Sequence, residues 1–192
     1  DAILVPKVND AKDVAHAHQH AAGAPAACAL WLMMETPRAI FNALDIAGAG
    51  GRLACLVMGT NDLVKELRAH HTPGREALLA GLNMSVMAAR VHGLAVVDGV
   101  FNEIADAAGF EAICRQGRAM GFDGKTLIHP SQVEICNRVF APDPEEVARA
   151  RAILAAFAKP ENKGKGAIAL DGRMVAKQTV ALADAIAALT PG

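Results

Sequence analysis

Glu35 and Asp62 are the side chains of this sequence best placed to do chemistry. Glu35 closes the apolar run Leu30-Trp31-Leu32-Met33-Met34, and Asp62 comes after Leu53-Ala54-Cys55-Leu56-Val57-Met58 and Gly59-Thr60-Asn61. Apolar runs of this length read as strands buried on both faces of a parallel sheet, whose ligands sit beyond the strands' carboxyl ends. Two carboxylates delivered there, with no thiolate or imidazole beside them in sequence, suit a hard divalent cation such as Mg2+. Lys7, at the end of the run Ile3-Leu4-Val5-Pro6, is a third polar group at a strand end. It suits a phosphate or a carboxylate, or simply supports the mouth of the sheet.

The elements that must carry these groups repeat one unit, an apolar run and then an amphipathic helix. The runs are Ile3–Val5, Leu30–Met34, Leu53–Met58, Leu94–Val97 and Lys125–Ile128. The helices predicted between and after them span about 10–22, 37–44, 63–69, 75–91 and 103–120, with another starting at Pro130. Pro37 sits in a first turn and Gly48 lies beyond a helix end, as helix punctuation requires. Alternating β and α of this kind means an α/β protein with a parallel sheet, open or closed into a barrel. Catalytic groups of a TIM barrel occupy the C-terminal ends of its strands. Five βα units are visible here, whereas a barrel needs eight and about 250 residues. The expectation is therefore that residues 1–140 are the C-terminal part of a barrel whose first three units are missing from this sequence. Residues 141–192 form a helical extension, with Asp143 as N-cap, a polar hinge at 159–166 and a C-terminal lid or oligomerisation segment.

Bulk properties exclude several classes. The 192 residues are 53% hydrophobic, carry a formal net charge of −1 and include 4% aromatics with no tyrosine. No dense basic run or stacking platform points to nucleic acid or an anionic membrane, and no apolar run is long enough for a transmembrane helix. The four cysteines (Cys28, Cys55, Cys114 and Cys136) are scattered, as expected of buried thiols in a cytoplasmic protein. His16, His18 and His20 resemble a metal comb, but only His16 and His20 share a helical face, and solvent is the better destination. His129 before Pro130 reads as a structural fixture of the last strand end. Gly48-Ala49-Gly50-Gly51 comes after a helix and before a strand, the reverse of a dinucleotide fingerprint.

Five motifs, in order, resemble one family. They are Ile3-Leu4-Val5-Pro6-Lys7-Val8, Met34-Glu35-Thr36-Pro37-Arg38, Met58-Gly59-Thr60-Asn61-Asp62-Leu63, Gly121-Phe122-Asp123-Gly124-Lys125-Thr126-Leu127-Ile128-His129-Pro130 and Asp171-Gly172-Arg173-Met174-Val175. Together they look like the citrate lyase β-subunit-like, malyl-CoA/citramalyl-CoA lyase family of TIM-barrel enzymes, over essentially the whole chain. The resemblance implies strands four to eight plus the C-terminal extension, with Glu35 and Asp62 as ligands of Mg2+ (or Mn2+) and CoA as part of the substrate. It further implies a homotrimer or hexamer. The activity it implies first is carbon–carbon lysis of a 3-hydroxyacyl-CoA such as malyl-CoA to an acyl-CoA and a 2-keto acid. The alternatives are a thioesterase acting on the same ester, or a degenerate subunit that binds acyl-CoA without turning it over. One position departs from the pattern. Family members carry Met-Ile-Asp where this chain has Met174-Val175-Ala176, so the acid/base aspartate is absent, which counts against both lysis and ester hydrolysis. Asp171 is the candidate substitute.

Overall fold

The computed structural model describes residues 1–188, which form two compact units, residues 1–140 and the segment beyond Phe140. In the first unit β1 (Ala2–Val5) leads to α1 (Ala11–His20), then β2 (Ala29–Met34), α2 (Pro37–Phe41), α3 (Ala43–Ala47) and β3 (Leu53–Met58). Next come α4 (Thr60–Glu66), α5 (Leu79–Val91), β4 (Ala95–Asp98), α6 (Ala107–Met120), β5 (Gly124–Lys125) and α7 (Ser131–Phe140). The five strands form one parallel sheet in sequence order, β1-β2-β3-β4-β5. The α/β class with a parallel sheet is therefore as the sequence predicts.

The sheet is held by the burial of alternate side chains of β2 and of nearly all of β3, while β1 and Trp31 of β2 stay more exposed. Leu30, Leu32, Met34, Leu56 and Met58 are fully buried, and most of them pack in one core with Val14, Ile46, Leu63 and Leu82 from the helices. Each such Leu or Met contributes roughly 1.5–3 kcal/mol. With β1, β2 and β3 made of apolar side chains throughout, polar side chains are left to the loops at their C-terminal ends.

Several boundaries differ from the sequence expectation: the helix expected over 63–69 is α4 at Thr60–Glu66, the run expected over Lys125–Ile128 is a strand only at Gly124–Lys125, and three more differ for a visible local reason. The helix predicted over 37–44 is two helices meeting at Asn42, whose Nδ2 donates to Asn9 O at 2.9 Å. The helix predicted from 75 starts only at Leu79, because Arg75 adopts a left-handed backbone (φ 57) that a helix cannot contain. The helix predicted from 103 starts at Ala107, where Asp106 caps it by accepting from Gly109 N at 2.8 Å.

The second unit contains α8 (Pro144–Ala158), β6 (Ala167–Leu170), β7 (Arg173–Ala176) and α9 (Thr179–Ala188). Asp143 caps α8 by accepting from Glu145 N. The short strand-like run Ala167–Leu170 is β6, but the chain turns at Asp171-Gly172 into a second strand rather than straight into a helix, and β6 and β7 pair as an antiparallel hairpin. Its turn, Asp171-Gly172, has positive φ at both residues (50 and 73), the conformation for which Asp-Gly is favoured in two-residue hairpins. No helix among the described residues is long and apolar enough to cross a membrane.

Candidate functional site

Lys7, Glu35 and Asp62 come together at the carboxyl ends of β1, β2 and β3. Glu35 is buried, the first residue past β2, and its Oε1 accepts a 2.7 Å hydrogen bond from the backbone N–H of Lys7. Asp62 lies in the first turn of α4, where the helix dipole favours negative charge. The Lys7 ammonium reaches both, at 2.7 Å from Asp62 Oδ1 and 3.7 Å from Glu35 Oε1. Lys7 has φ 57, an uncommon conformation for a side chain of this size that costs about 1–3 kcal/mol. That backbone turn aims the Lys7 N–H at Glu35, so the strain is local to the carboxylate pair.

Gly59 makes the arrangement sterically possible. A Cβ there would lie 2.3 Å from Glu35 Cβ and 2.7 Å from its Oε2, so any side chain would displace the carboxylate. Thr36, next to Glu35, caps α2 through Ala39 N and donates to Asn9 Oδ1 at 2.7 Å. Arg38, three residues after Glu35, pairs with Asp10 at 3.4 Å. Asn61 and Asn102 exchange two amide hydrogen bonds of 3.1 and 2.8 Å, tying the loops after β3 and β4. A cavity of about 260 Å3 opens beside these groups, lined by Leu4, Met33, Glu35, Gly59, Asp62 and Thr126 among others.

The electrostatics derive from the contacts. The hydrogen bond from Lys7 is the main cause holding the Asp62 carboxyl below its ordinary 3.8, and the same bond raises Lys7 above its ordinary 10.5. An acid whose folded pKa is depressed stabilises the fold above its unfolded pKa and loses that contribution as pH falls through the folded value. The raised lysine contributes below its unfolded pKa and stops contributing as pH climbs through its folded value. The pair is thus intact across the whole range between those two ordinary values. With the Lys7 side chain 53% exposed and that of Asp62 41%, its weight in stability is small; its role is to keep Asp62 ionised. Lys7→Met should move the Asp62 carboxyl pKa upward in a 13C NMR titration, and an unchanged value would remove Lys7 from that role.

The other polar candidates sit elsewhere. Among the described residues no group of three or more His, Cys, Asp or Glu could hold a metal. His18 Nε2 accepts from Arg52 N at 2.9 Å while its Nδ1 lies 2.9 Å from Val14 O, so His18 bridges backbone segments. His129 Nδ1 accepts from Ser131 N in the turn that starts α7. Cys55 and Cys114 are buried, and burial pushes their thiols up to about 11 and about 12, which leaves them un-ionised and non-nucleophilic. Asp171 is exposed at the tip of the hairpin in the second unit, and Ala176 ends β7.

One cluster is not foreshadowed by the sequence. Asp98, fully buried at the end of β4, accepts from Arg75 Nη1 at 2.8 and 2.7 Å, from Lys125 Nζ at 2.9 Å and from Gly99 N at 2.8 Å. Arg75 Nε also donates to Gln116 Oε1 at 2.7 Å. In the sequence Asp98 simply follows the apolar run Leu94–Val97, and Arg75 falls at the start of the helix predicted over 75–91.

The comparisons with known proteins agree on kinship. A family model described as HpcH/HpaI aldolase/citrate lyase matches residues 1–130. A (3S)-malyl-CoA thioesterase of Cereibacter sphaeroides is 49% identical over 195 residues, covering 98% of this chain and 67% of the relative. The citrate lyase subunit beta of Escherichia coli K12 is 32% identical over 183 residues, covering 91% of this chain and 60% of the relative. The chain thus spans about two-thirds, or somewhat less, of the length of these relatives. Among solved structures, the CitE protein of Mycobacterium tuberculosis in complex with magnesium, acetoacetate and coenzyme A superimposes with a TM-score of 0.74. It is 26% identical and is matched over 98% of this chain and 67% of that one. These relatives correct the expectation of a carbon–carbon lyase. The thioesterase resembles this chain far more than the citrate lyase subunit does, and over more of its length.

Proposed function

The chain belongs to the HpcH/HpaI aldolase/citrate lyase family, and from that premise we propose that it is a Mg2+-dependent thioesterase. Its substrate would be a short 3-hydroxyacyl-CoA of the malyl-CoA type, hydrolysed to the free hydroxy acid and CoA. The observation that carries this reading is the carboxylate pair Glu35/Asp62, facing a single cationic centre beside a cavity at the strand ends. The likeness to the malyl-CoA thioesterase directs it to hydrolysis.

The donor set fits Mg2+. Both groups offer hard oxygens, and both already face one positive charge, the Lys7 ammonium. Mg2+ commonly takes one or two protein carboxylates and keeps water or substrate oxygens for its other positions. When bound, the ion would act as a Lewis acid toward a substrate oxygen. The residues of this chain do the rest. Glu35, braced by the Lys7 N–H and given room by Gly59, supplies a fixed carboxylate, whereas Asp62 supplies a more exposed one that Lys7 keeps ionised. In hydrolysis a water oxygen bonds to the thioester carbonyl carbon, the carbon–sulfur bond breaks, and CoA leaves as a thiolate that takes up a proton. Neither Glu35 nor Asp62 suits the role of base, since each must stay ionised to hold the cation. The candidate for the water's proton is Asp171, which the family resemblance offers in place of the missing aspartate. Asp171→Asn should lower kcat by about 10²–10⁴-fold, the usual yield of general-base catalysis, with Mg2+ binding unchanged. An undiminished kcat in that variant would move the role elsewhere.

Two finer readings accompany this one. The sheet is read as an arc of a TIM barrel, because its strands neighbour one another in sequence order. Ile3 and Leu4 on β1, 40% and 45% exposed, are the apolar edge that closure would cover. The assembly is read as a homotrimer or hexamer, with exposed Met174 and Leu182 of the second unit as apolar surface for such contacts. Light scattering tests the latter. The activity itself is tested by thiol release from malyl-CoA: release that needs Mg2+ and stops with EDTA is the expected result, and EDTA-insensitive release would contradict it.

A further inference from the structure

A second cavity, of about 310 Å3, lies between the loop after α4 and the start of α6. It shares Thr60 with the cavity beside Glu35 and Asp62 but includes neither carboxylate. Its volume is at the lower end for small-molecule sites. Leu78, Phe101 and Ile113 give it apolar walls, and Arg75 forms part of its lining.

The charge around it is unbalanced. Arg75 and Lys125 both bond to the one carboxylate of Asp98, and all three side chains are more than nine-tenths buried. Two cations on one anion leave one positive charge uncompensated in a water-poor interior, a costly arrangement unless an anion completes it. Two polar atoms of the same wall, Arg75 Nη2 and Thr60 Oγ1, are buried without a hydrogen-bond partner among the described residues. Buried polar atoms are ordinarily paired, so two orphans beside one cavity call for an explanation. The acidic groups nearby, Glu103 and Asp106, stand exposed at the rim, where water screens them, and Asp106 is engaged in capping α6.

We propose that this cavity is a binding site for a small monocarboxylate, distinct from the Glu35/Asp62 site. The carboxylate lies toward Arg75 and supplies the missing negative charge and acceptor, and the carbon chain lies against Leu78, Phe101 and Ile113. One negative charge suffices, which selects a monoanion, and the apolar walls select a short alkyl body over a polyhydroxylated one. Because Thr60 borders both cavities, a ligand here is one side chain away from the carboxylate pair.

The test uses butyrate as the probe and butyramide as its uncharged counterpart, with binding followed by ligand-observed NMR. Measurements are made in EDTA on the Glu35→Gln variant, so that the metal site takes no part and the thioesterase reading is not at stake. Butyrate should bind, and butyramide should bind at least about tenfold more weakly, since it lacks the charge-assisted contact. Ala112→Phe, added at an exposed position lining the cavity, should abolish butyrate binding without changing the melting temperature. No binding of butyrate, equal binding of the amide, or full binding in a folded Ala112→Phe variant would each overturn the proposal.

Discussion

Glu35→Gln should reduce malyl-CoA hydrolysis by about a thousandfold, in line with the loss of a preorganised electrostatic group at a reacting centre, and should weaken Mg2+ binding measured by calorimetry in the same variant. The glutamine is isosteric, so the buried position beside Gly59 stays filled, and its amide oxygen can still accept from Lys7 N. What disappears is a charge. Lys7 then pairs with Asp62 alone, and a divalent ion meets a single carboxylate partly neutralised by an ammonium. Asp62→Asn should move both readouts the same way. Normal hydrolysis with either substitution would detach the carboxylate pair from the reaction.

The largest effect on stability is expected at Asp98. Asp98→Ala leaves the Arg75 guanidinium and the Lys125 ammonium buried and facing each other without an anion. Breaking a buried pair from one side costs about 3–5 kcal/mol, a large share of the stability of an ordinary domain. Lys125→Met should behave quite differently. Burial already lowers the pKa of Lys125 against the pull of Asp98, and its removal leaves Arg75 and Asp98 as a balanced pair. That variant should be near neutral, and combining it with Asp98→Ala should recover part of the loss. Urea midpoints for the three proteins decide the matter. Equal destabilisation by Asp98→Ala and Lys125→Met would mean that the cluster is held by packing rather than by charge balance.

What the sequence makes legible is what is local or strictly ordered. The apolar runs at 30–34 and 53–58 are strands because their composition suits burial on both faces, and the acidic residues after them had only one end of the sheet to go to. Lys7 was readable as a strand-end group, but its left-handed backbone and its contact with Asp62 were not, because both depend on a neighbour that lies far along the chain. Arg75 shows the same limit. Its surroundings have helical periodicity, yet a buried carboxylate 23 residues later holds its side chain, and the backbone turns out of helix to deliver it. The hairpin at Asp171-Gly172 is a different case: the Asp-Gly signal was present, but the strand after it, Arg173–Ala176, is short and half polar.

Chemistry was legible to the level of the HpcH/HpaI aldolase/citrate lyase family, and no further. On the reading proposed above, lysis and hydrolysis would start from the same ester at the same metal, so Glu35 and Asp62 cannot distinguish them. Ala176 could not distinguish them either, because both reactions need a proton moved and both lose the same aspartate. The choice between them turns on where water is admitted, which is a property of cavity shape rather than of any motif.

The most direct test of hydrolysis is therefore the fate of water. Malyl-CoA is turned over by the protein and Mg2+ in 18O-enriched water, and the products are weighed by mass spectrometry. Malate carrying one solvent oxygen in its new carboxylate, with free CoA in equal amount, is the predicted result. Acetyl-CoA and glyoxylate without added label in the acyl group would contradict it.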